Sequence, residues 1–566
     1  MNVASRTRAR RGFANIGSRF GTGAHMQQTR SIAFHHPLAF WLGCAAVMAG
    51  VCLHMPMYIM AAPMHYHLAG MAMDTPMSIG MGLIPCGVLL ASYGLMPRFD
   101  QMLQSKHGHT NLHFHIADGV PLNIEHWKLV LVLAVALTVD VMKPASIAFV
   151  MPGMVREYAI TSSTAGYLAL SALTGTAVGS IVWGRIADLF GRRAAILLSA
   201  IMFMGTAICG TMPAFSWNLV MCFMMGAAAG GMLPIAFTLM AETIPTAHRG
   251  WLLVALGGIG TSAGYLAASG AATLLEPTFS WRALWLLNLP TGALIVFLNR
   301  YIPESPRFLA DAGLHAQARA VLARFAGSPA ALREDPAGVD SDPPILESAH
   351  PAADLRQLLR GRHARITLGL GTCGLAWGLV NFGFLLWLPA NLARLGLDAH
   401  AASALLARSA LLAVPGTAAV VWLYQRWSSF RTLVLFIALT ALSLAAFCAL
   451  AFGGARAEAP MIAATAALLV SSGGVIATMI PYAAEIYPVH LRATGSGVIA
   501  AGSKLGGILG AGFGVVGLFG NVALAALVIA APMAVAALLL ARNGIDTRGR
   551  RLEEIQGLIG EPAALG

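Results

Sequence analysis

The sequence predicts an all-α polytopic membrane protein with about 14 transmembrane helices: two six-helix bundles preceded by an extra two-helix membrane hairpin. Three observations carry this. Of the 566 residues, 57% are hydrophobic and only 11% charged, against roughly a quarter charged in soluble domains, and the mean hydropathy is +0.71. The apolar residues gather into runs of the ~20 residues that a helix needs to cross the hydrocarbon layer. An internal repeat divides the chain, because Ala241-Glu242-Thr243-Ile244-Pro245-Thr246-Ala247-His248-Arg249 returns as Ala484-Glu485-Ile486-Tyr487-Pro488-Val489-His490-Leu491-Arg492. The differences 485 − 242, 488 − 245 and 492 − 249 are each 243, and both copies lie between apolar runs that carry glycines.

Residues 1–36 form a basic tail with Arg6, Arg8, Arg10, Arg11, Arg19 and Arg30 and no acidic residue among the first 35. The apolar run after it is too long and too distant to complete a signal peptide, so the tail is expected on the cytoplasmic side. Residues 37–96 make the hairpin, with spans at about 37–62 and 77–96. Its connection holds His54, Met55, Met57, Met60, Met64, His65, His67, Met71, Met73 and Met77, and His107, His109, His113, His115 and His126 fall in the polar linker 97–126. Thioether and imidazole suit copper, and imidazole suits zinc or nickel. Methionine is also common membrane filler and linker histidines are ordinarily solvated, so no metal ligand is assigned. Seven cysteines lie within apolar runs with no Cys-x-x-Cys pair, and read as small buried apolar residues.

The first bundle covers 127–300, with spans at about 127–151, 164–183, 194–213, 218–241, 251–273 and 283–300. Trp281 and Arg282 are read as marking the outer interface before the last of these. The central loop, 301–363, is polar. In it the spacing of Leu309, Leu314, Ala318 and Leu322 predicts one helix over 305–325, and the Pro-, Asp- and Ala-rich stretch 327–353 reads as disordered. The second bundle covers 364–542, with spans at about 364–389, 402–424, 431–453, 459–483, 493–517 and 520–541, and 543–566 is a second tail.

A cation-rich turn, Gly184-Arg185-Ile186-Ala187-Asp188-Leu189-Phe190-Gly191-Arg192-Arg193, joins two spans of the first bundle. Lys and Arg resist translocation, so this turn marks the inside face. Arg426, Arg431, Arg492, Arg542 and Arg548 then fall inside, and few cations outside, chiefly Arg156, Arg282, Arg394 and Arg456. Both termini are expected in the cytoplasm and the protein in the plasma membrane, which is the inner membrane in a bacterium. The net charge of +12 is explained by these loops, so no nucleic-acid partner is expected; the lipid bilayer is.

Ionisable residues inside the spans are the chemical signal. A charge at mid-bilayer costs about 2.5–3.5 kcal/mol, so three uncompensated charges would cost roughly 8–10 kcal/mol, comparable to the whole stability of a domain. Asp140, Lys143 and Lys504 should therefore face one another or a watery cavity. Asp140 and Lys143 are three apart and share a helical face. Asp140 is read as the proton-coupling residue, Lys143 and Lys504 as the groups that attract an anionic substrate, and Asn381, Trp387 and Tyr265 as further lining residues. The bland alternative is a purely structural Asp140–Lys143 ion pair.

The Gly-x-x-x-Asp-x-x-Gly-Arg-Arg turn between two spans resembles the signature loop of the major facilitator superfamily of secondary transporters, and with the repeat the resemblance extends from about 127 to 555. Ile302-Pro303-Glu304-Ser305-Pro306-Arg307-Phe308-Leu309 is similar to the end of the first half in its sugar-porter-like branches, and the chain from Asp546 to Glu554 to the matching end of the second half. The stretch from Asp140 to Pro152 looks like the opening of aromatic-acid/proton symporters, with Lys143 in place of a second Asp. Lys504 aligns with a cation of organic-ion transporters. The Arg often found in span four of the core appears as Cys222, and the second signature turn has decayed to Gln425-Arg426-Trp427-Ser428-Ser429-Phe430-Arg431. The resemblance implies that Gly184, Asp188, Gly191, Arg192 and Arg193, with Glu242, Arg249, Glu485 and Arg492, form contacts that latch the cytoplasmic side and break when it opens.

These readings lead to a secondary active transporter working by alternating access, in symport of a proton with a small carboxylate-type organic anion. A drug or metal-ion exporter or antiporter is the alternative, and a non-transporting membrane sensor the alternative of another class. No nucleotide loop, nucleophile elbow or His-Glu-x-x-His helix occurs, so no enzyme activity and no cofactor are expected. Energy would come from an ion gradient. Oligomeric state is left open.

Overall fold

A computed structural model describes residues 36–95, 120–312, 314–326, 358, 360–394, 397–452, 458–487 and 489–548. The basic tail, the histidines from His107 to His115, the stretch 327–353 and the end of the chain beyond Arg548 lie outside them, as does the side chain of Arg492. Among the described residues every regular element is helical, which satisfies each backbone group within its own segment, as a bilayer requires.

Among the described residues fourteen helices are long and apolar enough to span. These are α1 Pro37–Met60, α2 Thr75–Leu95, α3 Ile124–Glu157, α4 Ser162–Phe190, α5 Arg192–Thr211, α6 Phe215–Thr243, α7 Thr246–Phe279 and α8 Arg282–Tyr301. After the central loop come α9 Gly361–Leu392, α10 Ala399–Arg426, α11 Ser429–Leu450, α12 Glu458–Ile486, α13 Gly495–Val515 and α14 Val522–Asn543. Several overrun the apolar runs that predict them, because hydropathy stops at the membrane surface and the helix does not. The signature turn shows this best. α4 continues through Gly184 to Phe190, and Gly191 alone interrupts it, so the expected ten-residue turn is the exposed end of a helix followed by one residue.

The repeat is visible in the packing. In the first half α3 lies against α7, α4 against α6 and α5 against α8; in the second half the equivalent pairs α9 with α13, α10 with α12 and α11 with α14 do the same. The halves meet where α4 packs on α13 and α7 on α10, contacts that exchange under the same pairing. Such close helix approach rests on glycine. A Cβ on Gly226 of α6 would sit 1.8 Å from the Ala172 carbonyl oxygen of α4, and one on Gly506 of α13 would sit 2.0 Å from that of Leu375 in α9. In α9 the stretch Leu379–Leu385 is π-helical.

The single helix expected over 305–325 is two short ones, Pro306–Asp311 and His315–Ala326, folded together over Leu309, Ala310 and Ala318. The Leu314 N–H turns back to the Leu309 carbonyl at 2.8 Å. One apolar face too short for a membrane thus buries itself against itself.

The hairpin α1–α2 packs on α5, and its connection is fastened to the end of the first bundle away from the signature turn. Glu157 Oε1 accepts the backbone N–H groups of Leu68 at 2.8 Å and Ala69 at 3.2 Å. The same carboxylate takes the Trp281 indole N–H at 2.8 Å and the Arg282 Nη2–H at 2.6 Å. Arg282 Nη1 donates to the Gly210 and Met212 carbonyls at 3.2 and 3.0 Å. Trp281 and Arg282 were expected at an interface with the outside, yet both are buried, Arg282 completely. A guanidinium can leave water only when nearly every donor is satisfied, and here a carboxylate and two carbonyls supply that. Removing the carboxylate would strand a buried cation. Glu157→Ala is expected to cost about 3–5 kcal/mol, read as a lowered thermal unfolding temperature of purified protein, whereas Gly270→Ala, with open space at its Cβ position, should leave it unchanged.

Candidate functional site

α3 and α13 bring three charged groups into the interface between the halves. Asp140 and Lys143 lie on one face of α3, with Lys143 Nζ 3.4 Å from Asp140 Oδ1. Asp140 is 7% exposed and Lys143 fully buried, with its ammonium 3.9 Å from the centre of the Phe203 ring. From the other half, Lys504 Nζ donates to the Thr176 carbonyl of α4 at 3.4 Å and is close enough for its charge to act on Asp140. With all three ionised, two cations and one anion leave a surplus of one positive charge at the junction. In a low-dielectric site that surplus is costly unless an anion joins it.

The space beside this cluster is small. A cavity lined by Lys143, Thr176, Leu173, Met225, Phe382 and Leu386 measures about 10 Å³, room for roughly one water. Toward the end away from the signature turn, a second cavity of about 390 Å³ opens between the halves, lined by Met151, Arg156, Ser162, Trp387 and Asp398 among others. That volume suits a small organic ligand.

The remaining candidates take different positions. Trp387 is 3% exposed and lines the larger cavity, its ring seated where Gly166 and Gly514 leave room. Tyr265 is buried, edge-on to Phe149 at 6.0 Å, and its hydroxyl has no hydrogen-bond partner among the described residues. Asn381 lies in the π-helical stretch and turns its amide back to the Trp377 carbonyl at 3.0 Å, so that donor is committed to its own helix.

At the signature end, Gly191 has φ +102°, a conformation that favours glycine. A Cβ there would stand 2.3 Å from Glu304 Oε2. Glu304 Oε1 accepts the Arg192 N–H at 2.7 Å, so a buried carboxylate caps the start of α5. The Arg192 guanidinium reaches Glu242 at 3.3 Å and the exposed Asp188 at 3.9 Å, while Arg193 donates to Asn299 at 2.8 Å. Arg249 donates to the Ile244 carbonyl at 3.2 Å. Gly184 is half-buried within α4, one and a half turns before the end of the helix. In the second half Glu485, the repeat of Glu242, accepts from the hydroxyls of Tyr424 at 2.9 Å, Ser429 at 2.5 Å and Thr547 at 2.6 Å. There Asp546 pairs with Arg431 at 3.0 Å. In each half, then, an acidic residue just after the sixth span folds back onto the turn after the second. Glu304 and Asp546 were not among the residues singled out for this network. Their signal was present in the two similar half-ends, Glu304-Ser305 and Asp546-Thr547.

Burial pushes the Glu304 carboxyl up from 4.5 to about 7, against the pull of the backbone N–H groups of Ser305, Arg192 and Arg193. A carboxyl raised on folding favours the folded state fully below its unfolded value and loses that contribution as pH climbs through its folded value. The protein is therefore expected to lose stability from about pH 4.5 to about pH 7, on the order of 3 kcal/mol. Glu304→Gln, which cannot ionise, should flatten that part of the profile in thermal unfolding measured against pH.

The model for the Major Facilitator Superfamily matches residues 131–511. Among curated proteins the chain is 28% identical to the niacin transporter NiaP of Acinetobacter baylyi, over 69% of this chain and 87% of that one. It is 28% identical to the 4-hydroxybenzoate transporter PcaK of Pseudomonas aeruginosa, over 74% of this chain and 93% of that one. Its fold matches the partially occluded, inward-open xylose transporter XylE of E. coli with a TM-score of 0.61 at 16% identity, over 76% of this chain and all of that one. With 381 of 566 residues inside the family match, paired six-helix halves and an acid-capped signature turn, the chain belongs to the Major Facilitator Superfamily.

Proposed function

We propose that this protein is a proton-coupled symporter that carries a small organic carboxylate across the membrane by alternating access. The observation that carries the reading is the Asp140–Lys143–Lys504 cluster, contributed by both halves and left with one unmatched positive charge. An anionic substrate completes it. The relatives that transport niacin and 4-hydroxybenzoate are consistent with a planar carboxylate.

In this reading the substrate enters by the larger cavity past Trp387 and moves to the midplane, where its carboxylate is held by Lys504 and Lys143. Lys143 is drawn from Asp140, which then takes up the proton. The proton and the carboxylate enter as a neutral pair, so the junction keeps its single positive charge; what changes is that the Asp140–Lys143 tie within the first half is replaced by a substrate held by both halves, about which they can rock. The small central cavity fits a conformer in which the site is collapsed until substrate arrives. Arg192, Glu242, Glu304 and Asp188 hold the signature end shut, and their release opens it. By the distribution of Arg and Lys that end faces the cytoplasm, with both termini, and the membrane is the plasma membrane.

Reconstitution in proteoliposomes with 4-hydroxybenzoate and nicotinate as probes tests this. An imposed inward proton gradient should drive accumulation by the native protein. Asp140→Asn should abolish accumulation while preserving exchange of labelled for unlabelled substrate, and undiminished accumulation would remove Asp140 from coupling. Lys504→Gln should raise KM for the carboxylate about tenfold, equivalent to ~1.4 kcal/mol of lost binding. Asp188→Asn should slow turnover severalfold with normal membrane insertion, and an unchanged rate would exclude a gating role.

A further inference from the structure

The hairpin is the part of the chain that transport leaves without a task, and it is chemically unusual. Seven of the 24 residues from His54 to Met77 are methionine, against 27 in all 566. Most of these lie at the surface or in the packing of the connection, but His54 does not fit a filler role. Its imidazole is completely buried, with Nδ1 2.8 Å from the Gly50 carbonyl oxygen. A carbonyl can only accept, so Nδ1 carries the proton and Nε2 the lone pair. That lone pair is buried with no hydrogen-bond partner among the described residues, a state proteins rarely leave unexplained. A ring N–H held by a carbonyl, with the opposite nitrogen bare, is the arrangement that presents histidine to a metal.

The surroundings select which metal. A Cβ on Gly80 of α2 would stand 2.7 Å from His54 Cε1 and 2.9 Å from Nδ1, so glycine opens a slot for the ring. Met57 lies one turn after His54, and Met77 one turn before Gly80 on the face that meets it. They are 2% and 0% exposed and belong to one packed cluster. No three His, Cys, Asp or Glu side chains converge among the described residues, which leaves no nitrogen–oxygen set for zinc or nickel. One imidazole with thioethers is the soft set that selects monovalent copper. Asp74, whose Oδ1 accepts the Met77 N–H at 2.8 Å, is close enough for its charge to act on the His54 ring and would offset the single positive charge.

We propose that the hairpin holds a Cu(I) site formed by His54 Nε2 and the thioether sulfurs of Met57 and Met77. The site is separate from the charged junction between the halves and does not depend on the transport reading. Bound copper would join α1 to α2 directly. Because Met57 and Met77 share their cluster with Ala207 and Ile208 of α5 and with Met212 just after it, it would also stiffen the hairpin against the first bundle.

The test is an anaerobic titration of the purified full chain in detergent with Cu(I), in competition with bicinchoninate. One equivalent should be withheld from the chelator, and X-ray absorption should show mixed nitrogen and sulfur ligation. Met57→Leu with Met77→Leu keeps side-chain volume and should weaken binding at least about tenfold (~1.4 kcal/mol) with little change in thermal unfolding. His54→Ala should abolish binding, and if it unfolds the leucine pair decides alone. Met60→Leu with Met64→Leu, in the exposed part of the connection, should leave binding intact. The proposal is overturned if no copper is withheld, if the Met57/Met77 pair binds as the native chain does, or if the Met60/Met64 pair accounts for the binding.

Discussion

Low dielectric between the two halves is the constraint on which the rest depends. A lysine buried from water beside an aspartate, and a second lysine reaching across from α13 to the carbonyl of Thr176, are tolerable only because each has a partner and none faces lipid. That requirement fixes how α3, α4 and α13 must face one another. It also turns the interface from simple packing into a place where charge has to be balanced, which a cavity lined by apolar groups alone would not impose.

The membrane surface imposes a second balance. At the signature end, the N–H groups at the start of α5 and the guanidinium of Arg192 are met by Glu304 and Glu242. In the second half, hydroxyls of Tyr424, Ser429 and Thr547 surround Glu485, and Asp546 takes Arg431. The two halves therefore keep the same acidic positions and differ in what neutralises them.

Much of this is legible in the amino-acid sequence. Hydropathy located the fourteen spans because burial in lipid acts residue by residue along the chain, and the 243-residue offset exposed the duplication because Glu, Pro and Arg recur in register in both copies. The local pair Asp140–Lys143 could be read from helical spacing. Long-range partners could not: Glu304 meets Arg192 across 112 positions, and Glu157 meets Arg282 across 125, separations that no periodicity encodes. Arg282 was misplaced for the same reason, since a lone cation beside a tryptophan looks the same in sequence whether it borders water or is enclosed. The small size of the cavity beside Lys143 depends on how side chains such as Phe382 and Leu386 interdigitate, which composition does not specify.

The π-helical stretch in α9 has a mechanical corollary. Bonding from i to i+5 encloses one more residue than the α form's i to i+4, so the helix holds a surplus residue between Gly378 and Leu386. Passing that surplus along the helix, or letting it go, would turn everything beyond it by ~100° and shift it by ~1.5 Å. Trp387 is the second residue past the end of the stretch, so its indole would sweep across the mouth of the larger cavity while the body of α9 stayed on α13.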